Sequence, residues 1–99
     1  MELWEILVPK ADNNGNEFVV DFHKTWDKVV REMSGGLTVM RSAKGSWLND
    51  GKLYEERMIP CRIVCTKTQI LSVLNFTKTY YNQIAVMAYK ISDEVIIYS

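Results

Sequence analysis

Residues 49–69 read Asn49-Asp50-Gly51-Lys52-Leu53-Tyr54-Glu55-Glu56-Arg57-Met58-Ile59-Pro60-Cys61-Arg62-Ile63-Val64-Cys65-Thr66-Lys67-Thr68-Gln69, and three signals in this stretch decide the fold. Asp50-Gly51 is the dipeptide of a tight hairpin turn, whose central residues need positive φ. From about Leu53 to Cys65 the side chains alternate as on a strand. Ile59, Cys61, Ile63 and Cys65 share one face; Tyr54, Glu56, Met58, Arg62 and Val64 share the other. Thr66 and Gln69 are spaced as a capping box, which opens a helix directly after the strand.

Working outward, Leu37–Met40 reads as the strand before the hairpin, with an extension toward Trp47. Upstream of it, Phe22, Trp26, Val29, Val30 and Met33 form one helical stripe, with Asp21 as the expected N-cap and Gly35-Gly36 as the stop. Asp12-Asn13-Asn14-Gly15-Asn16 is a turn, and Leu3–Val8, stopped by Pro9, is an opening strand. Downstream, Ile70, Leu71, Val73, Leu74 and Phe76 are expected to face the sheet from a second helix that carries Tyr80 near its end and breaks at Asn82-Gln83. Ile84–Tyr89 and Val95–Tyr98 read as two final strands. The order β-α-β-β-α-β-β is the split βαβ, ferredoxin-like arrangement with one extra C-terminal strand. The expected class is α+β: an antiparallel sheet with two helices on one face, in a single domain over residues 1–99.

Two helices cover one sheet face only. The other face is unusually apolar on the first strand (Leu3, Leu7) and the fourth (Ala85, Met87, Tyr89 or their alternates), so it is expected to be buried between copies of the chain.

The 99 residues carry 47% hydrophobic and 24% charged side chains with formal net charge zero. That composition excludes a disordered chain and argues against a nucleic-acid binder, which normally has a basic surplus. No apolar run approaches the roughly 20 residues that cross a bilayer. Met1-Glu2-Leu3-Trp4-Glu5 lacks the features of a signal peptide, and the cysteines Cys61 and Cys65 fit a reducing cytoplasm. Both thiols are expected to pack in the core. His23, the sole histidine, lies off the apolar stripe and is expected at the surface; with one C-x3-C pair it cannot build a metal cluster. No Walker loop, dinucleotide fingerprint or nucleophile elbow is present.

Gly45-Ser46-Trp47, the turn, and Tyr54-Glu55-Glu56-Arg57 bring aromatics and carboxylates together. Glu55 and Glu56 point to opposite sheet faces and cannot share a proton. Glu56, on the uncovered face near aromatic rings, suits a cationic ligand: ring faces attract sulfonium and ammonium centres, and a carboxylate pairs with an ammonium.

At these residues the chain resembles the small bacteriophage enzymes that cleave S-adenosylmethionine, the SAM hydrolases and SAM lyases. The resemblance rests on Gly36-Leu37, Gly45-Ser46-Trp47, Glu55-Glu56, Arg62-Ile63-Val64-Cys65, Gln83 and Val86-Met87-Ala88-Tyr89-Lys90, in that order across roughly residues 30–92. Trp47 stands where the family pattern has tyrosine. The Gly-x-Trp step and acidic pair also resemble a family of small uncharacterised bacterial proteins. The phage resemblance implies a homo-oligomer, a trimer, with sites between subunits, in the host cytoplasm, acting on S-adenosylmethionine without cofactor, metal, nucleic acid or membrane. The implied reaction is a lyase step giving 5′-methylthioadenosine and homoserine lactone. It implies Glu56 as the group that holds the substrate amino end, Glu55 in its place if the register shifts, and Trp47 or Tyr54 against the adenine or sulfonium. Met58 and Arg62 are expected to bind substrate; Met40, Met58 and Met87 are candidates to line the pocket, against core or interface packing, the commoner role of such methionines. The alternative is a non-enzymatic ligand-binding or regulatory module of the same fold.

Overall fold

A computed structural model describes all 99 residues. The elements are β1 (Glu2–Pro9), α1 (Val20–Ser34), β2 (Thr38–Val39), β3 (Ala43–Asn49), β4 (Lys52–Cys65), α2 (Lys67–Tyr80) and β5 (Ala88–Ser92). They build the expected α+β architecture: one antiparallel sheet in the order β2-β4-β1-β5, with β3 also paired to β4. β1 lies along the second half of β4, from Pro9 against Met58 to Glu2 against Cys65. β3 takes the first half on the opposite edge, from Asn49 against Lys52 to Ala43 against Met58. The β3–β4 hairpin therefore projects beyond β1 as a two-stranded ribbon.

The local signals behave as their chemistry requires. Asp50 and Gly51 have φ of 53° and 76°, as both central residues of a type I′ turn must. At the start of α2 the Gln69 N–H donates to Thr66 Oγ1 at 3.2 Å, and the Thr66 N–H to Gln69 Oε1 at 2.9 Å. Gly35 closes α1 in the left-handed conformation at φ 96°. The start of α1 differs from expectation. Val19 occupies the cap and supplies no side-chain bond, while Asp21 sits inside the first turn, where its charge favours the helix dipole. The entry is held instead by Phe18, whose ring stacks on Phe22 at 5.1 Å.

The core lies between the helices and one sheet face. Ile6, Val8, Cys61, Ile63 and Cys65 rise from the sheet to meet Trp26, Val30, Ile70, Val73 and Tyr81. Both thiols are buried, as expected, and burial pushes Cys61 up to about 12. Trp26 Nε1 donates to Thr77 Oγ1 at 2.9 Å, and that hydroxyl donates onward to Val73 O at 2.6 Å, so the helices share a satisfied polar link inside the core. Leu71, expected to face the sheet, is exposed: the buried positions Ile70, Val73 and Thr77 define a stripe that leaves it outside.

Three strand expectations are corrected, and two of them trace to proline. The strand expected from Leu37 toward Trp47 is split into β2 and β3. Met40 N donates to Pro60 O at 2.9 Å, so Pro60 turns its missing N–H toward this edge, and the ladder lapses between the two strands. The strand expected at Ile84–Tyr89 forms only from Ala88 onward. Leu7 N donates to Met87 O at 3.1 Å, and the next donor facing that edge would be Pro9, which has none. Residues 84–86 are thereby released from the ladder. The C-terminal strand expected at Val95–Tyr98 does not form; Ile96, Ile97 and Tyr98 stand exposed without a pairing strand in the chain. The apolar, β-branched run reports an affinity for strand pairing and not the presence of a partner.

His23 is also corrected. It is half-buried among Phe18 and Tyr81, with Nδ1 2.6 Å from the Tyr81 hydroxyl. Its α1 position is off the stripe, but Phe18 and Tyr81 enclose it from the loop before α1 and the end of α2. Burial holds the imidazole below its ordinary 6.5, against a smaller opposing pull from Asp27. Burial pushes the Tyr81 phenol up, so it keeps its proton and can donate to a neutral imidazole. The sign for stability follows. Between the lowered native value and 6.5, the unfolded chain binds a proton that the folded chain does not, so stability falls as pH falls through this window. The urea midpoint is expected to drop between pH 7.5 and 5.5, and His23→Gln should reduce that slope. Asp27, whose carboxyl burial raises, contributes with the opposite sign in the more acidic carboxylate range.

Candidate functional site

The helix-free face of the sheet is where the site residues gather. Its central row is Leu3, Glu5, Leu7 and Pro9 from β1, beside Val64, Arg62, Pro60 and Met58 from β4. Toward the hairpin this face opens into a cleft of about 450 Å3. Leu7, Pro9, Met58 and Glu56 line it from the sheet, Gly45, Ser46 and Trp47 from β3, and Gln83 with Ala85–Met87 from the segment before β5. The volume suits a small molecule, for which sites run about 300–1,000 Å3.

β4 alternation and β3 register explain the convergence. Gly45 is opposite Glu56 and Trp47 is opposite Tyr54, so all four belong to one face. The Trp47 and Tyr54 rings stack at 5.7 Å with planes 10° apart. Lys52 Nζ lies 5.1 Å from the centre of the Tyr54 ring, which already shows a cation on this aromatic pair. Met58 Cε lies across Gly45: a Cβ there would come within 2.7 Å of it and displace the end of that flexible side chain in the cleft.

The two carboxylates are separated as their adjacency demands. Glu55 binds Lys44 at 3.1 Å in an exposed pair. Glu56 is half-buried in the cleft, and none of the ion pairs of the chain engages it. Trp47, Glu56, Met58 and Met87 thus come together. Tyr54 and Glu55 lie next to them, lining a polar cleft that shares Trp47, Glu56 and Gln83 with the first. Arg62 is not with this group. It lines a separate cleft with Leu3, Gly36, Thr38 and Val64 at the far end of the same face. Met40 lines neither of these clefts.

Sequence reasoning missed the polar centre of this face. Glu5 is 7% exposed; Arg62 Nε donates to its Oε1 at 3.0 Å, and the Tyr89 hydroxyl donates to its Oε2. The available signal was parity, because Glu5 falls between Leu3 and Leu7 on one strand face, where a carboxylate needs donors.

No family model matches the sequence, and no curated protein matches it at a significant level. Solved structures do match in fold. CutA1 from Oryza sativa aligns with TM-score 0.72 at 7% identity, covering 97% of this chain and 82% of that one. The periplasmic divalent cation tolerance protein CutA from Archaeoglobus fulgidus aligns with TM-score 0.69 at 11% identity, over 97% and 86%. A phage SAM lyase in complex with S-methyl-5′-thioadenosine aligns with TM-score 0.66 at 13% identity, over 96% and 92%. At these identities the likeness is one of fold, and the fold is that of the ferredoxin-like α+β chains.

Proposed function

We propose that the 450 Å3 cleft binds S-adenosylmethionine and cleaves it as a lyase, in a homo-oligomer of this chain. The observation that carries this reading is the free Glu56 carboxylate beside the stacked Trp47–Tyr54 pair on an apolar floor. Glu56 holds the substrate ammonium, and an aromatic face accepts the sulfonium or the adenine. The fold shared with a SAM lyase that binds S-methyl-5′-thioadenosine supports it.

The reaction asks little of the protein's functional groups. A carboxylate oxygen of the substrate attacks its own γ-carbon. The carbon–sulfur bond breaks, its electron pair goes to sulfur, and methylthioadenosine leaves as homoserine lactone closes. No proton moves and no protein nucleophile is needed. Holding the two ends in attack geometry can supply up to about 7–11 kcal/mol. Positive sulfur and negative carboxylate cancel along the path, so the apolar walls formed by Leu7, Pro9, Met58 and Val86 favour the less charged transition state.

A second reading, a ligand-binding module without turnover, is favoured by the CutA1 structures, which match the fold as well as the lyase does. A divalent-cation version of it has no ligand set in one copy, since no three His, Cys, Asp or Glu side chains converge. Incubation of the purified chain with S-adenosylmethionine, followed by mass spectrometry, separates the readings. Methylthioadenosine with homoserine lactone is the expected result. Homoserine alone from the earliest times would make the chain a hydrolase. Intact substrate would overturn the enzyme reading, and a thermal shift by the same compound would then favour the module.

A further inference from the structure

The second cleft on the open sheet face is about 600 Å3 and lies at the opposite end from Glu56. Glu56 and Arg62 are six positions apart on β4, which is about 20 Å along a strand, so one small ligand does not use both ends. Met1, Leu3, Leu37, Val64 and Ile97 give it apolar walls, interrupted by Ser34, Thr38 and the Gly35–Gly36 backbone, and Arg62 is its single charged side chain. Glu5 fixes that guanidinium in orientation. The Arg62 side chain is 43% exposed while that of Glu5 is 9% exposed, and only Nε is used in the contact. Tyr89 donates to the other oxygen of Glu5, and neither Nη atom of Arg62 has a partner in the chain. The two Nη atoms keep their N–H groups free at an apolar cleft, held by a buried partner in the manner of a built binding group.

From this geometry we infer that the Arg62 cleft is a second ligand site, for a small monocarboxylate with an apolar body. A planar carboxylate matches the paired Nη donors, and the walls take the hydrocarbon. The apolar walls select against a bare phosphate, which has no hydrocarbon to set against Leu3, Leu37, Val64 and Ile97. The site is independent of the S-adenosylmethionine reading, because it shares no lining residue with the Glu56 cleft.

The test uses octanoate, with octanol and inorganic phosphate as the contrasting probes, on the full chain. Calorimetric titration is expected to show octanoate binding at least tenfold tighter than either contrast. Amide shifts in NMR are expected at Gly36, Thr38 and Val64 and not at Gly45 or Trp47. Because Arg62→Gln alone would leave Glu5 buried without its cation, the variant is Glu5→Gln with Arg62→Gln, which removes both charges and keeps an acceptor oxygen for Tyr89. It is expected to lose at least tenfold in octanoate affinity and to keep its affinity for octanol. Equal binding of octanoate and octanol, tighter binding of phosphate, shifts confined to the Glu56 cleft, or an unaltered double variant would each overturn the proposal. So would shifts at Gly36 and Thr38 that follow protein concentration with no ligand added, since they would assign the cleft to a second copy of the chain.

Discussion

Glu56→Gln is expected to lower turnover of S-adenosylmethionine by about 10- to 100-fold, the equivalent of the roughly 1.5–3 kcal/mol that a hydrogen bond to a charged group contributes. The substitution keeps the shape and removes the charge. Glu56 has no ion-pair partner in the chain, so the fold loses little, and the unfolding midpoint should stay near that of the parent. A group that orients the substrate ammonium in both ground and transition states should raise KM. One that sets the attack geometry should lower kcat. Single-turnover measurements with Glu56→Gln and Glu56→Asp separate these outcomes, and Glu56→Asp should recover part of the activity. Glu55→Gln is the matched control. Its pair with Lys44 is exposed on both sides, which limits its worth to about 0–1 kcal/mol, and turnover should be unchanged. Loss of activity in Glu55→Gln with none in Glu56→Gln would exchange the two roles.

Trp26→Ala is expected to destabilise the chain by about 3–5 kcal/mol, a large share of the roughly 5–15 kcal/mol that a small domain possesses. Trp26 is 1% exposed and packs at the junction of both helices and the sheet. Its removal opens a cavity and also takes the donor away from Thr77. Thr77 keeps its own bond to Val73 O, so the hydroxyl is not stranded. Trp26→Phe therefore serves as a graded comparison: it refills most of the volume and loses the hydrogen bond, for a smaller cost of about 1–2 kcal/mol. Urea unfolding followed by far-UV circular dichroism measures both. A Trp26→Ala chain as stable as its parent would mean that the α1–α2 junction does not hold the fold.

What could be read in advance was what is decided within a few residues. The Asp50-Gly51 turn, the β4 alternation and the Thr66–Gln69 box are local, and each formed at its expected place. The helical stripe and its glycine stop were equally local. The errors over the strands and His23 fall where the deciding atom belongs to a distant part of the chain. Whether Ile84–Val86 joins the sheet depends on a donor that Pro9 lacks, and whether residues 40–42 pair depends on Pro60. The exposure of His23 depends on Phe18 and on Tyr81, 58 residues away. At the site, parity alone grouped Trp47, Glu56 and Met58, because strand alternation carries that far. The same parity placed Arg62 with them, since a face says nothing about distance along it. The Glu5–Arg62–Tyr89 cluster needed three strands in register before it could be seen.

The two prolines also explain how this sheet comes to have a hollow on it. An antiparallel sheet extended to full width is a continuous surface, and most chains make room for a ligand by adding a loop above it. Here space is made by subtraction. Pro9 withholds one proton from the β5 side, and the segment that would have lain flat becomes a wall. Pro60 withholds another on the far side, and the ribbon carrying Trp47 and Glu56 starts beyond that interruption. The width of such a hollow is therefore set by two imino acids on the neighbouring strands, of which Pro9 also forms part of its wall and Pro60 does not. A lineage could widen or close it through a single substitution at Pro60 while every residue lining the cleft stayed the same.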